Sequence, residues 1–237
     1  MRHGQAAAPG RRERAKADKR ARILAAALAL FEERGFERTS MSEVARAADV
    51  AEGTVFLYAA TKAELLMMVV DALWGAHEHA TTTAARSACA ASGGAGTTPV
   101  GRETTAQITT IISPLVTAMR RWPEPATWVA REILFGADMP HRRHVLDRVA
   151  NLEEQIAARL RDGRAEASGA LEAARDGATG TPGEAPGAVA EAGARLIVAG
   201  ALAELNRSRQ RRISGEDIDE ALRRLVDLVV AGASTAG

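Results

Sequence analysis

Two capping boxes, separated by 21 positions, constrain what this chain can fold into more than any other feature. In Ser40-Met41-Ser42-Glu43, the Ser40 hydroxyl can accept a hydrogen bond from the backbone N–H of Glu43, while the Glu43 carboxylate reaches back to Ser40. Thr61-Lys62-Ala63-Glu64 repeats the pattern. Because each box starts a helix, the stretch between them has room for a short helix, a turn and a second short helix.

The residues around these boxes complete a three-helix arrangement. Apolar residues between Arg20 and Arg34 recur at helical spacing, and Gly35 follows where a left-handed backbone can end the helix. Asp49 tolerates a left-handed turn, and Glu52 to Tyr58 reads as a further short helix. This succession predicts a helix-turn-helix between about Ser40 and Lys62, whose second short helix lies in the major groove of DNA. The side chains expected to form its core are Ile23, Ala27, Phe31, Phe36, Val44, Val50, Val55 and Phe56.

The same segment resembles the TetR (tetracycline-repressor-like) family of bacterial regulators. The resemblance covers about residues 20–66, and the apolar positions, caps, turn and final lysine stand in the family's order. It implies an all-α chain with a three-helix DNA-binding domain, followed by a larger helical domain that binds a small-molecule effector and dimerises. The matching residues are Ile23-Leu24-Ala25-Ala26-Ala27, Phe31, Gly35, Phe36, Ser40, Val44-Ala45, Ala48, Val50, Gly53-Thr54 and Lys62 with Leu65-Leu66.

The resemblance also assigns roles to individual residues. The recognition helix would run from Ala51 to Tyr58, with Glu52, Gly53, Thr54 and Leu57 nearest the bases, while Tyr58 and Lys62 contact backbone phosphates. Hydroxyls at Ser40, Ser42, Thr54 and Tyr58 can bond phosphates without added positive charge. Three positions depart from the family pattern: Asp49 replaces the usual Gly of the turn, Phe56 the usual Tyr, and Ala59 the usual Phe.

Composition and charge agree with this interpretation. Aromatic residues make up 3% of the chain, so a core must be built mainly from Ala, Leu, Val and Ile, which favours an all-α fold. Residues 1–22 carry eight bases and two acids, which gives this segment a charge of +6. Because the whole chain has a net charge of +1, the remaining residues carry −5. Such a basic arm suits nucleic-acid phosphates, although basic ends also serve merely to keep proteins soluble.

The chain divides into three predicted parts. We expect a disordered basic arm over 1–17, the DNA-binding domain over 18–65, and a helical ligand-binding and dimerisation domain over 66–237. Residues 81–103 and 163–187 are rich in Gly, Ala, Thr, Ser and Pro and are predicted as loops.

Two groups of residues are candidates in the second domain. An effector pocket should be apolar with a few polar groups, and its candidate lining is Trp74, His77, Met119, Trp122, Trp128 and Phe135, each of which could equally be core. Of the last two predicted helices, the first carries a stripe of small residues and the second an apolar face. Close approach of another helix at the stripe would offset the stability cost of a glycine in the middle of the helix. Their candidate dimer contacts are Leu196, Gly200, Ala203, Leu222, Leu225 and Val229, although intrachain packing would give the same pattern.

Signals for other chemistry are weak. His77 and His79 are two apart and point to different sides of a helix, while His141 and His144 share a face but are accompanied by Arg142, Arg143 and Arg148, which would repel a cation. The single cysteine, Cys89, has no partner for a disulfide or a zinc site. We therefore expect no metal, no cofactor and no catalysis.

The sequence thus predicts a homodimeric repressor that binds palindromic double-stranded operator DNA and is released by a small-molecule effector. No apolar run is long enough to span a bilayer and no secretory signal is visible, so a cytoplasmic location without membrane contact is expected. Two alternatives stay open: an α-helical enzyme or carrier with a vestigial N-terminal domain, and an activator or nonspecific nucleoid-type binder.

Overall fold

A computed structural model describes residues 10–89, 100–121, 123–174, 186–209 and 215–235. Within these ranges the chain forms α-helices joined by turns and contains no strand, which confirms the all-α fold class. The helices are α1 (Arg11–Arg34), α2 (Met41–Ala47), α3 (Glu52–Tyr58), α4 (Lys62–Cys89), α5 (Val100–Arg121), α6 (Pro123–Phe135), α7 (Pro140–Ala174), α8 (Pro186–Arg209) and α9 (Gly215–Thr235).

The helices belong to two compact units. Unit 1 comprises Met1–Ala76 and Thr127–Val145, and unit 2 comprises His77–Ala126 and Leu146–Gly237. The predicted division after residue 65 differs from this, because residues 66–76 and 127–145 group with the N-terminal helices. Among the described residues no single helix could cross a bilayer by length and composition; a bent pair, Glu52–Tyr58 with Lys62–Ala76, passes that test.

The core of unit 1 is aromatic at its centre. The Phe36 ring lies 5.6 Å from the ring of Phe31 and 5.0 Å from that of Trp128, so α6 packs on the loop that follows α1. Val55 is the buried residue of α3, whereas Phe56 is 45% exposed. The prediction that Phe56 belongs to the core is wrong, because a seven-residue helix that turns Val55 inward carries the next side chain about 100° around its axis. The other predicted core residues are buried, apart from Val50, which is half-buried.

Unit 2 is built on close helix contacts at glycines. A Cβ added at Gly193 would lie 2.9 Å from Val229 Cγ1 and 3.0 Å from Leu160 Cδ1. A Cβ added at Gly200 would overlap Leu225 Cδ2 and lie 3.3 Å from Leu225 Cγ. The small-residue stripe on α8 therefore does permit a close helix approach, to α9 of the same chain.

The predicted disordered arm is too long. Helix α1 begins at Arg11, so residues 11–17 are helical and that part of the prediction is wrong; the rest of the arm, residues 1–9, lies outside the described residues. Arg, Lys, Glu and Ala fill 11–17, and all four favour helix. Extending a helix that is already anchored further along adds one hydrogen bond per residue, without a new nucleation cost.

Both predicted loops are also too long. Residues 81–89 complete α4, 100–103 open α5, 163–174 complete α7 and 186–187 open α8, whereas 90–99 and 175–185 lie outside the described residues. Gly163 is the first residue of the second predicted loop. It is instead buried in α7, where an added Cβ would overlap the side chain of Thr104 on α5, so this glycine serves packing between helices.

Candidate nucleic-acid interface

The capping box at the start of α2 forms as the sequence predicts. The backbone N–H of Glu43 donates to Ser40 Oγ at 3.3 Å, and the backbone N–H of Ser40 donates to Glu43 Oε2 at 2.9 Å. The Ser40 hydroxyl also donates to Glu43 Oε2 at 2.7 Å, and Arg34 pairs with Oε1 at 3.1 Å. These hydrogen bonds from Ser40, followed by the charge of Arg34, lower the pKa of the Glu43 carboxyl. The Ser40 hydroxyl is therefore engaged in the cap, while Ser42 is exposed with its hydroxyl 3.2 Å away.

The turn between α2 and α3 depends on Asp49. Its φ of 52° confirms the predicted left-handed backbone, and the N–H of Val50 donates to Ala45 O at 3.0 Å to close the turn. The Asp49 carboxylate lies 3.2 Å from Arg22 Nη1 on α1. The negative charge that replaces the family's glycine is thus paired with a cation of the same unit.

Helix α3 presents most of its surface to solvent. Val55 is its buried residue, while Glu52, Gly53 and Phe56 are exposed and Leu57 is 85% exposed. Its N-cap residue, Ala51, is also exposed, and Thr54 is half-buried. The helix therefore offers an outer face that is small or apolar, with Glu52 as the only charge in α3.

The two residues expected to hold phosphates also hold the fold together. The Tyr58 hydroxyl donates to the backbone carbonyl of Lys16 at 3.0 Å, which ties the end of α3 to α1. The Lys62 ammonium donates to the carbonyls of Phe36 and Glu37 at 2.9 and 3.0 Å, with its nitrogen 4.5 Å from the centre of the Phe36 ring. An ammonium has three donors, so Lys62 retains one beyond these two bonds.

The first turns of α1 form a cationic surface, of which the sequence interpretation had assigned residues 11–17 to a disordered arm. Between Arg11 and Arg22 this helix carries seven bases and two acids, and its side chains are exposed or, at Arg20, half-buried. Because the Tyr58 hydroxyl bonds to Lys16, this basic helix passes beside the end of α3. The bases are Arg11, Arg12, Arg14, Lys16, Lys19, Arg20 and Arg22.

The second predicted capping box forms only in part. Thr61 Oγ1 accepts the backbone N–H of Glu64 at 3.0 Å, as predicted. The buried Glu64 carboxylate does not return to Thr61; its Oε1 accepts the backbone N–H of His141, at the start of α7, at 2.7 Å. A contact across 77 positions replaces the local one, so the reciprocal half of that prediction is wrong.

The candidate effector-lining residues do not form one group among the described residues. Trp128 packs on Phe36, with the Arg131 guanidinium 5.0 Å from its ring centre, which makes it a residue of the unit 1 core. Phe135 is 81% exposed at the end of α6, so it does not line a pocket within its own chain. Trp74 and Met119 are half-buried, in units 1 and 2 respectively. The His77 side chain and Trp122 lie outside the described residues.

The candidate dimer residues separate into inward and outward sets. Leu222 is 3% exposed, so it belongs to the core of its own chain and is not available to a partner. Leu225 and Val229 are half-buried against Gly200 and Gly193 of α8. Leu196 (62% exposed) and Ala203 face outward on α8, as does Leu228 (72% exposed) on α9, a residue that the sequence interpretation left out of its interface.

Comparison with known proteins points to one family. Residues 23–68 match the sequence profile described as "Bacterial regulatory proteins, tetR family". The chain is 33% identical over 145 residues to the HTH-type transcriptional repressor KstR of Rhodococcus jostii, and the match covers 61% of this chain and 60% of KstR. It is 37% identical over 60 residues to the HTH-type transcriptional regulator TtgR of Pseudomonas putida, covering 25% of this chain and 29% of TtgR. Each match thus spans less than two thirds of the relative's own length.

Solved structures share the fold over most of the chain. A TetR transcriptional regulator from Rhodococcus sp. RHA1 superposes with a TM-score of 0.59 at 18% identity, covering 91% of this chain and 97% of that one. FadR of Thermus thermophilus, solved in complex with lauroyl-CoA, superposes with a TM-score of 0.58 at 23% identity, covering 90% and 94%.

Proposed function

The chain belongs to the TetR family of bacterial regulatory proteins, and from this premise we propose that it is a transcriptional repressor that binds double-stranded operator DNA through α3 and is released by a small-molecule effector. The observation that carries the proposal is the outer face of α3. A helix that buries Val55 and leaves Leu57 85% exposed is placed to enter a groove rather than a protein core.

The exposed residues of α3 suit direct reading of base edges. Leu57 and Phe56 offer apolar surface that can contact the methyl group of thymine, and Glu52 can accept a hydrogen bond from the amino group of cytosine. At Gly53, an added Cβ would meet nothing within 4 Å, so the surface there is open to close approach by a partner. Recognition should therefore depend on shape and methyl contacts more than on charged side chains.

The basic start of α1 supplies the electrostatic part of binding. Neutralising each phosphate releases condensed counterions, so affinity should fall steeply with salt concentration. The Tyr58 to Lys16 hydrogen bond keeps this cationic surface beside α3. Lys62 has one donor left for a phosphate and holds the loop after α1 with the other two.

We also propose a homodimer that reads a palindrome. Leu196 on α8 and Leu228 on α9 are large apolar side chains left in solvent, in helices that pack closely through Gly193 and Gly200. Burying such residues against a second copy would remove them from water and give the two-fold symmetry that a palindromic site requires. The two α3 helices would then face successive major grooves, one turn of DNA or somewhat more apart.

Release by an effector requires differential binding. A small molecule shifts an equilibrium only by its differential affinity for two states, so effector and operator must weaken each other's binding by the same factor. FadR of T. thermophilus, which shares the fold, was solved with lauroyl-CoA. The fold is thus compatible with a small-molecule ligand; the chemistry of this chain's effector is left open.

DNA binding is tested by selecting sequences from a random pool with the full chain, followed by fluorescence anisotropy on the selected DNA. Leu57→Ala should weaken binding to the selected sequence roughly tenfold, as expected for losing one base contact. Leu134→Ala, which truncates an exposed leucine on α6, is the matched control and should leave affinity unchanged. Lys19→Ala should weaken binding to all sequences about equally and reduce the salt slope by about 1.

The proposal is overturned if no DNA sequence is enriched from the random pool, or if Leu57→Ala binds the selected DNA with the same affinity as the native chain. An enzyme or carrier with a vestigial N-terminal domain predicts no saturable DNA binding, and a nonspecific nucleoid-type binder predicts no enriched sequence. The same experiment therefore separates these alternatives from a sequence-specific regulator.

The dimer is tested by sedimentation. Replacing Leu196 and Leu228 together by Glu should give monomers, because two charges would have to be buried at the contact. Leu134→Glu places the same charge on an exposed leucine of unit 1 and should leave the dimer intact. A Leu196→Glu/Leu228→Glu variant that sediments as the native chain does would refute the proposed interface.

A further inference from the structure

Three metal-binding side chains come together in unit 1, beside the last residue of α3. They are Asp71 on α4 and His141 and His144 on the first turns of α7. We propose that these residues form a site for a divalent transition-metal ion of the zinc type. The proposal concerns metal binding alone and does not depend on DNA binding.

The separations of the ligand atoms fit such an ion. One ligand atom from each residue lies within 4.8 Å of those of the other two, and His144 Nδ1 is 3.7 Å from Asp71 Oδ2. Zinc bonds of about 2.0–2.2 Å in a tetrahedral site place ligand atoms about 3.4 Å apart. Because the His144 side chain is 59% exposed, it can rotate to close the remaining gap and leaves a path by which an ion enters.

His141 is oriented as a ligand histidine would be. Its Nε2 lies 3.2 Å from the backbone carbonyl oxygen of Tyr58, which can only accept a hydrogen bond, so Nε2 carries the proton and Nδ1 of the neutral ring holds a lone pair. Nδ1 is buried and has no hydrogen-bond partner among the described residues. Histidines that bind metals usually donate their second N–H to a backbone carbonyl or a carboxylate, which is the arrangement here.

The backbone around the site is also fixed. Glu64 Oε1 accepts the N–H of His141 at 2.7 Å, which holds the first turn of α7 against α4, the helix that carries Asp71. The rings of His141 and His144 stand 5.9 Å apart, nearly perpendicular at 80°. Positions 141 and 144 share one face of the helix, so both rings can approach the same point.

Two of the neighbouring arginines that in the sequence argued against a cation, Arg142 and Arg143, are engaged elsewhere. The Arg142 guanidinium donates to the carbonyls of Glu132 and Ile133, at 2.6 and 2.9 Å, and so caps the end of α6. Arg143 donates to both carboxylate oxygens of Asp138 at 2.6 Å, and this pair raises the pKa of Arg143. Two imidazoles and one carboxylate then face an incoming ion, a donor set that suits Zn²⁺, Co²⁺ or Ni²⁺ rather than Mg²⁺ or Ca²⁺.

The test uses the full chain, purified without a polyhistidine tag and freed of metal by a chelator. Titration with Co²⁺ should give visible absorption bands of a site with nitrogen and oxygen ligands, saturating at one ion per chain, and Zn²⁺ should displace the Co²⁺. His144→Gln and Asp71→Asn should each weaken Co²⁺ binding by at least about 100-fold. Losing a ligand should cost at least as much as losing a hydrogen-bond partner of a ligand, which costs up to about 100-fold. Because the His144 side chain is exposed, His144→Gln should fold as the native chain does, and circular dichroism checks this.

The matched control removes the other histidine pair of the chain. His77→Gln with His79→Gln, both on α4, should leave Co²⁺ affinity unchanged. The proposal is overturned if the native chain binds no Co²⁺, if His144→Gln and Asp71→Asn bind it as the native chain does, or if the control variant loses it. None of these results bears on operator binding, so they leave the proposed function standing.

Discussion

Substitution of glycine by alanine should have opposite effects on stability at two positions of α7. Gly169 is exposed, and a Cβ added there would meet nothing within 4 Å. Gly163 is buried, and a Cβ added there would overlap Thr104 Oγ1 and lie 3.1 Å from Cγ2 and 3.2 Å from Cβ of the same residue. Thr104 is itself buried and branched at Cβ, so rotating its side chain does not remove the contact with its Cβ.

The magnitudes follow from two terms. Glycine to alanine inside a helix gains about 1 kcal/mol of stability, so Gly169→Ala should stabilise the protein by about that amount. Gly163→Ala gains the same term but adds an overpacked methyl, which costs about 1–3 kcal/mol. Since the helix term is common to both variants, the difference between them, about 1–3 kcal/mol, measures the close approach of α5 and α7 at Thr104.

Urea unfolding followed by far-ultraviolet circular dichroism gives both values, at one fixed protein concentration because dimerisation would make stability depend on it. A double-mutant cycle with Thr104→Ala, which removes Oγ1 and Cγ2, should recover much of the loss in Gly163→Ala, with a coupling of about 0.5–3 kcal/mol. If Gly163→Ala is as stabilising as Gly169→Ala, or if the cycle shows no coupling, the packing of α5 on α7 described above is wrong.

Three further predictions concern the α1 to α3 region. Ser40→Ala should destabilise the protein by about 1 kcal/mol through loss of the α2 cap. Ser42→Ala removes a hydroxyl that contacts the Ser40 hydroxyl at 3.2 Å but is not itself the capping group, so it should stay within about 0.5 kcal/mol in the same assay. The pKa of Glu43 is lowered in the folded chain, so its stabilising effect is fully present above its unfolded pKa and is lost as pH falls through the lower, folded pKa. Carboxyl NMR should therefore find Glu43 titrating below an ordinary glutamate and returning toward it in Ser40→Ala; an unchanged titration contradicts the cap. Asp49→Ala should lower stability by about 1 kcal/mol because alanine is strained in a left-handed backbone. Asp49→Gly should leave stability unchanged or raise it, although it loses the exposed ion pair with Arg22. Equal losses of stability in both variants would contradict the strain argument.

What could be predicted from the sequence was what depends on neighbours along the chain. The Ser40 and Glu43 box, the left-handed Asp49 and the order of the first helices all follow from spacings of a few residues, and the structure confirms them. The Thr61 and Glu64 box has the same spacing but forms only in part, because the Glu64 carboxylate finds the N–H of His141 instead. Local spacing cannot show that a distant donor competes for the same oxygen.

The remaining differences have the same cause. A loop was predicted to begin at residue 163 because the contact of Gly163 with Thr104, which lies 59 positions earlier in the chain, is not visible in the local pattern. His141 and His144 could be seen to share a face, but Asp71 and the bonds that draw Arg142 and Arg143 aside appear only in three dimensions. Leu222 and Leu228 occupy the same helix, α9, and only packing separates the buried residue from the exposed one.

The way α3 is anchored has a consequence for how such a protein can change over evolutionary time. Val55 is the buried side chain of the helix and the Tyr58 hydroxyl ties its end to α1, while Glu52, Gly53, Phe56 and Leu57 are all exposed. Substitutions at these four positions can therefore accumulate with small effects on folding, since surface changes are usually within about 0.5 kcal/mol. If α3 reads DNA as proposed above, a gene duplicate could acquire a new target sequence by drift at four codons, and randomising the same four codons in the laboratory should redirect the protein.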